Sequence, residues 1–597
     1  VGTEYITPFV DMVPYQTQAG GKWLHKVLPS KNVEASNTGL VHIAPGHGPE
    51  DFELGKEFGL EPFCPVDETG TYTALVGSKY VGMHIRKANP ELLKDLEAMD
   101  SLFYSGTIEH RVGHCWRCKS PVLFRTTDQW FLRITQVKDQ MLEEIEKVRW
   151  TPDWAGSSRE YDWTRNARDW CISRQRYWGI PIPVWTCKCG EMRVVGLVDE
   201  LKDAEGYVED MELHRPWIDA VKLRCPKCGG KMARVPDVLD VWFDSAVASW
   251  AQLGFPRQRE AFERLWPAKL IVEAHDQTRG WFYSQLAAGV IAFGRAPYES
   301  VLMHGWMLDG QGQPMSKSKG NVVEPGKVVK EHGADALRFY LLKTSAPWED
   351  IPFQMDGVKN ARKTLNVLWN VVNFATTYMA IDSFDPQRVT RDMAKPHLNQ
   401  EDAWLISRTE KLKNEFTRQV NALELHKAGR ALEQYILDDL SRWYVRLIRD
   451  RMWSEEGNAG KLAAYRTLYD AIMDTTLLLA PICPHLAEEV YQHMDGTKPS
   501  VHMMDWPASD LTLVDERLEK AMALVQEIVE TITRERQLRN VKLRWPMKRV
   551  VIKVSSNDMI QPLKALEGIL RSQANVKAVE YVGAGEEWAE TRLNVVP

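Results

Sequence analysis

The sequence runs to 597 residues, too long for one hydrophobic core, so roughly three or more domains are expected. Its 44% hydrophobic and 26% charged residues are those of an ordinary globular protein. A formal net charge of -6 excludes a global basic field, leaving any nucleic-acid site to a local patch. No run of about 18 apolar residues occurs that would span a membrane. The opening VGTEYITPFVDMVPYQ has neither an initiator Met nor the basic-then-apolar layout of a signal peptide, and the expected compartment is the cytoplasm.

Residues 1–108 mix short β-like runs with Gly/Pro turns. Residues 109–150 carry a cysteine pair and then TTDQWFLRI, a strand-like run. From about 151 to 350 the pattern is α/β. KLIVEAHD (269–276) and YESVLMHGWMLD (298–309) are apolar runs ending in polar residues, as buried parallel strands do. Between them TRGWFYSQLAAGVIAF reads as a helix. Strand, helix, strand is the unit of a doubly wound sheet, which binds ligands at its carboxyl strand ends. Beyond Ala361, Leu365, Leu368, Trp369 and Val372 fall at helical spacing. Amphipathic segments then continue to about residue 495, with Pro386 and Pro396 flanking a linker, which predicts a helical bundle. A last helix over 514–540 carries Leu518, Met522, Val525, Val529 and Ile532 on one stripe, and KRVVIKV (548–554) reads as a strand.

Six of the nine cysteines stand in close pairs, which without an export signal read as zinc ligands rather than disulfides. Cys187-Lys-Cys189 and Cys225-Pro-Lys-Cys228 have knuckle spacing, with Gly190, Gly229 and Gly230 for the turns. Four thiolates suit a closed structural Zn2+ site. Cys115 and Cys118 make half of a second site. The loop GQGQPMSKSKGN (310–321) is rich in Lys, Ser and Gly. Alone, such a loop is more often a solvated turn. Lys317 within it is placed to neutralise charge on a leaving pyrophosphate. The chain has no G-x-x-x-x-G-K-[ST] at this loop, which disfavours a P-loop NTPase. RWYVRLIRDRMW (442–453) interleaves basic and aromatic residues, and RERQLRNVKLRWPMKR (534–549) is more basic still. Both are candidate nucleic-acid faces against the commoner reading of solvated helix faces.

Met315-Ser316-Lys317-Ser318 resembles the KMSKS signature of class I aminoacyl-tRNA synthetases. GLVHIAPGHGPEDF (39–52), TTDQWF (126–131), WCISRQRYWGIPIPVW (170–185), DVLDVWFDSAVASW (237–250) and VEAHDQTRGWFYSQL (272–286) are similar to the isoleucyl members of that family, of archaeal or eukaryotic-like type. The resemblance implies an α/β plus all-α chain. Residues 1–108 would be part of a β-rich editing domain. Residues 109–360 would be the second half of a Rossmann-like catalytic domain, with a zinc insertion at about 184–233. A helical anticodon-binding bundle would follow over 361–510, and a tRNA-contacting segment over 511–597.

It further implies ATP-dependent activation of L-isoleucine, with Mg2+-ATP as substrate, and transfer to tRNA(Ile). Lys317, Ser316 and Ser318 would act on the phosphates. Glu273, Asp276, Gln277, His304 and Gly305 would hold ATP and the adenylate, and Trp242 and Trp281 would wall the amino-acid pocket. With 23 Trp in the chain, most must be structural, and only motif context favours these two. Burial is worth about 0.8 kcal/mol per methylene. Isoleucine against valine is the standard example of a discrimination that one methylene cannot supply, so a hydrolytic editing site follows. There Asp51 would take the ammonium of a mischarged amino acid and His42 would help place the ester and water. The chain departs from the signature at Pro314, in place of its first Lys, and by lacking a HIGH motif. It is therefore expected to be a fragment that forms no adenylate alone, and a monomer. The alternatives are a valyl-tRNA synthetase, or a tRNA-binding or deacylase module without synthetase activity.

Overall fold

The computed structural model describes residues 1–31, 33, 39–115, 118–454 and 457–586. They divide into two compact units, Val1–Leu132 with Cys171–Gln175, and Arg133–Trp170 with Arg176–Pro597.

The first unit differs from the β-rich domain expected of residues 1–108. Its main regular elements there are the helices Pro49–Glu57 and Ile85–Ala98, and its β pairing consists of isolated bridges such as Val66 with Tyr72 and Thr71 with His84. A ladder needs neighbouring strands that together bury an apolar face. Here Ile6, Leu40 and Val41 stand 88%, 65% and 67% exposed, so these runs find no such face among the described residues. TTDQWFLRI likewise yields a strand of only Phe131–Leu132, and its last residue opens the helix Ile134–Lys147.

The second unit contains the predicted strand–helix–strand. Ile271–Ala274, Ser300–His304 and Arg149–Thr151 form a parallel sheet in that order. The helix Trp281–Phe293 connects the first two strands, burying Phe282, Leu286, Ala287 and Val290. Gly294, at φ 72°, stops it in the left-handed conformation that glycine adopts without steric cost. Trp150 from the third strand sits edge-on to Phe282 and Tyr298 and donates its indole N–H to Ile145 O at 3.0 Å. Gly156 lies against the same ring, where an added Cβ would be 2.2 Å from Cδ1. Gly156→Ala is therefore expected to cost about 1–3 kcal/mol by overpacking. The measurement is the urea midpoint, and an unchanged midpoint would show that Trp150 shifts freely.

Residues 184–234 form a four-stranded antiparallel sheet in the order Met192–Val194, Val184–Thr186, Lys231–Arg234, Lys222–Arg224. Trp185, Val221, Leu223 and Met232 fill its apolar layer. Beyond residue 354 the unit is helical. Met355–Ile381 buries Leu365, Leu368 and Val372 on the predicted stripe and packs Trp369 against the same core. Gln400–Asn421, Ala459–Leu479 and Pro484–Met494 complete the bundle's main helices. The helix Glu516–Leu538 and the strand Val550–Lys553 follow as expected, the latter pairing in parallel with Val579–Val582.

The bundle takes part of one candidate nucleic-acid face into its core. In RWYVRLIRDRMW, Trp443, Tyr444, Ile448 and Met452 are buried in the core. Arg451 binds Asp402 and Glu401, and Arg442 pairs with Asp438. Trp443 and Tyr444 are thus core positions, while Trp453, 66% exposed, and Arg446 and Arg449 stay on the surface.

Candidate functional site at the carboxyl ends of the parallel strands

Register pairs Glu273 with Met303 and Ala274 with His304, so Glu273 and His304 lie at the carboxyl ends of adjacent parallel strands. Glu273 is exposed, and among the described residues its carboxylate accepts only the neighbouring Ala274 N–H, at 3.3 Å. The next residues turn through a short 3-10 segment, His275–Arg279. There Gln277 donates to Asp276 Oδ2 at 2.9 Å and accepts from Trp281 N at 2.9 Å. Trp281 donates its indole N–H to Ser245 O at 3.0 Å. A Cβ on Gly280 would fall 2.6 Å from Gln277 Oε1 and 3.1 Å from the Trp242 ring. Trp242, Gln277 and Trp281 are thus drawn around one glycine. Trp242 itself is 41% exposed. Across the sheet, the His304 ring contacts its neighbour's carbonyl, Gly305 O, at 2.8 Å, and Gly305 N donates to Pro347 O. A side chain at Gly305 would meet Glu349 O at 2.4 Å, so the position admits only glycine without backbone movement. Trp306 packs edge-on to His275 at 5.3 Å, joining the segments that leave the two strands.

Lys317 lies in the loop beyond this strand end, in a 3-10 turn of Lys317–Lys319 between Ser316 and the left-handed Gly320. The loop is pinned from within. Asp309 accepts from Gln311 N and Gln313 N with Oδ1 and from Asn321 Nδ2 with Oδ2, at 2.8–3.0 Å. Asn321 Oδ1 in turn accepts from Ser316 N at 2.8 Å, and the hydroxyls of Ser316 and Ser318 meet at 2.7 Å. The Asn321 amide and the Gln313 N–H hold the Asp309 carboxyl below its ordinary range. Asp309 and Asn321 are site-building residues that the sequence reading did not assign. The Lys317 side chain is exposed and its ammonium has no hydrogen bond or ion pair among the described residues. No hydrogen bond or ion pair joins it to Glu273 among the described residues. Two cavities of about 470 and 330 Å3 lie elsewhere, against Trp150 and Tyr161 and against Arg466 and Asp474.

Cys187, Cys189, Cys225 and Cys228 bring their four sulfurs within 4.8 Å of one another. The Cys187–Cys228 and Cys189–Cys225 separations are 3.5 and 3.6 Å. A tetrahedron with Zn–S bonds of about 2.3 Å has edges of about 3.8 Å, so this donor set fits zinc. Two matching knuckles place them. Gly190 N donates to Cys187 O and Gly229 N to Cys225 O, with both glycines at positive φ. The Cys228 backbone N–H holds the Cys225 thiol at about 7, against desolvation. At Cys115 and Cys118, Lys119 N donates to Cys115 O at 2.9 Å, and no further ligands join them among the described residues.

In the first unit, Asp51 lies in the opening turn of Pro49–Glu57 and accepts Ala44 N at 2.9 Å. That bond ties it to the backbone two residues from His42, which is exposed and without a partner among the described residues. The neighbouring His47 is anchored on Phe124 O at 2.8 Å.

Comparison with known proteins agrees with this layout. Residues 85–354 match the family model of class I tRNA synthetases (I, L, M and V), and residues 402–552 that of the anticodon-binding domain of tRNA ligase. Isoleucine--tRNA ligase of Methanosarcina barkeri is 48% identical over 100% of this chain and 56% of that protein. The Methanothrix thermoacetophila protein of the same name is 52% identical over 98% and 55%, and that of Archaeoglobus fulgidus 48% over 99% and 57%. The chain spans about half the length of the curated relatives it matches. With both domain models matched in order and near-half identity along its length, the chain is similar throughout to about half of the isoleucine--tRNA ligases it matches.

Proposed function

We propose that the protein carrying this sequence is an isoleucine–tRNA ligase. In the first step the isoleucine carboxylate attacks the α-phosphorus of Mg2+-ATP, forming isoleucyl-adenylate and releasing pyrophosphate. In the second a terminal ribose hydroxyl of tRNA(Ile) attacks the adenylate carbonyl and AMP leaves. The near-half identity to proteins of that name along the whole chain carries this reading.

Neither step needs a covalent enzyme intermediate, so positioning and charge stabilisation suffice. Glu273, Asp276, Gln277, His304 and Gly305 would cradle the nucleotide at the strand ends. Trp242 and Trp281 would flank the isoleucine side chain. Lys317, presented by the Ser316–Ser318 turn, would meet the charge that develops on pyrophosphate. Zinc at Cys187, Cys189, Cys225 and Cys228 would close the 184–234 module structurally and take no part in the chemistry. The sequence domains are proposed with it: editing in 1–108, where Asp51 would hold the ammonium of a mischarged valine and His42 its ester, catalysis in 109–360, and anticodon binding in 361–510.

The test is isoleucine-dependent ATP–pyrophosphate exchange by the protein that carries this sequence. Lys317→Ala is expected to slow exchange about 10²–10³-fold, the usual cost of one transition-state charge donor, with little change in isoleucine affinity. Exchange driven by valine rather than isoleucine would assign the chain to the valyl enzymes instead, and undiminished exchange by the variant would remove Lys317 from the mechanism.

A further inference from the structure

The smaller cavity, about 330 Å3, lies inside the helical bundle. The helices Gln400–Asn421 and Ala459–Leu479 line it, and residues from 391–398 and 510–513 complete the lining. Leu398, Ile406, Ala471 and Leu513 give it an apolar wall, and the rest is charged. Voids left by imperfect packing are apolar and stay empty, whereas a space edged by carboxylates is built for something polar.

The charges around it pair unevenly. Asp470 is fully engaged. Its Oδ2 accepts from Arg391 Nε at 2.7 Å and from Arg466 Nε at 3.1 Å, and its Oδ1 accepts from Arg466 Nη2. Glu410 is engaged as well, with Oε1 on Lys413 Nζ at 2.8 Å and Oε2 on Asp510 N at 2.7 Å. Asp474 is only half engaged. Its Oδ2 shares the same Lys413 ammonium, at 3.2 Å, and its other oxygen has no hydrogen bond or ion pair among the described residues. One buried lysine thus serves two carboxylates. With Asp392 and Asp510 at the lining, five carboxylates face four cations, Arg391, Lys395, Arg466 and Lys413. Burial raises the Asp474 carboxyl above its ordinary value, against the pull of Lys413. A carboxylate so placed gains from a further cation beside it.

We infer that this cavity binds a small organic monocation, a protonated amine on a short aliphatic body. The ammonium meets the second Asp474 oxygen, and the aliphatic part lies along Leu398, Ile406 and Leu513. A bare metal ion suits the site poorly. The space is far larger than one ion or one water needs, and the apolar wall supplies no oxygen ligands. A zwitterion would bring its own carboxylate among carboxylates already in excess. The inference stands apart from the ligase reading, because none of these residues belongs to the strand-end site.

The probe is isoamylamine, added to the full chain labelled at its isoleucine δ1 methyls and followed by NMR. The amine is expected to shift the Ile406 methyl saturably, with a dissociation constant on the order of 1 mM. The methyl of Ile145, in the larger cavity, should stay in place. Isoamyl alcohol, which has the same shape without the charge, is expected to bind about tenfold more weakly. Asp474→Asn keeps the side chain's size and removes its charge, and should bring the amine down to the level of the alcohol. Urea unfolding shows whether that variant keeps its bundle. Leu513, 41% exposed, is the safer position. Leu513→Arg places a competing cation at the lining and should weaken the amine about tenfold. An Ile406 methyl that ignores the amine, or answers the alcohol equally, would overturn the cation site. So would wild-type affinity in a folded Asp474→Asn chain or in Leu513→Arg. A tighter response of Ile406 to L-isoleucine than to the amine would overturn the monocation in favour of a zwitterion.

Discussion

Cys225→Ser is expected to abolish zinc binding and to loosen residues 184–234 as a unit. Cys225 is 2% exposed and shares a cluster in which all four sulfurs lie within 4.8 Å. In the thiolate form that binds metal, four sulfurs at that distance repel one another unless a cation lies between them. A structural zinc contributes about 10–16 kcal/mol of apparent binding energy in small zinc-finger peptides near neutral pH. The apolar layer of Trp185, Val221, Leu223 and Met232 supplies only a small core, so most of the module's order is expected to depend on the metal. Metal analysis of wild type should find about one zinc per chain from this site. The variant should lose it and show fast amide exchange throughout the module, with the helical bundle unaffected. A variant that retains equimolar zinc would show the metal to be elsewhere.

Arg451→Met is expected to destabilise the helical bundle by about 3–5 kcal/mol, the usual cost of removing one partner from a buried ion pair. Asp402 is fully buried. Arg451 Nη1 donates to both its oxygens at 2.9 and 2.8 Å, Tyr444 donates its hydroxyl at 2.7 Å, and Asn399 N caps it at 2.8 Å. Without Arg451 the carboxylate keeps its neutral donors and loses its counter-charge. Burial already raises the Asp402 carboxyl above its ordinary value, against the pull of Arg451. Removing that pull raises it further. A carboxyl with a raised folded pKa favours the fold at low pH and loses that advantage as pH rises, so the deficit should grow from about pH 4 towards pH 7. Adding Asp402→Asn should recover part of the loss. Urea unfolding at the two pH values measures both, and a deficit that shrinks on going to neutral pH would contradict the assignment.

Arg451 also shows where sequence reading stops. The run 442–453 looks like a nucleic-acid face because a linear string shows the cation but not Asp402, 49 residues earlier, that neutralises it. Arg536 is the same case, since its acceptor Ala574 O lies 38 residues on. By contrast, the strands carrying Glu273 and His304 were legible because a short apolar run with a polar end is a local signature, and so were the four zinc-knuckle cysteines, whose two pairs sit in short turns. Asp309 could have been found. Asp-Gly ahead of Gln311 and Gln313 is a turn signal, and the carboxylate accepts both of those amides. In residues 1–108 the short β-like runs pair only through isolated bridges among the described residues, because a ladder forms only where another chain segment lies alongside over several residues.

The internal bonding of the Lys317 loop changes what an encounter with a polyphosphate would demand. Because Asp309 and Asn321 already hold the backbone around Ser316 in shape, the segment would travel like a stiff paddle hinged at its ends. Little of the peptide chain would have to freeze on contact. The freedom surrendered would be chiefly that of one lysine side chain, at most about 2 kcal/mol, which leaves nearly all of the electrostatic attraction available to favour the departing phosphates.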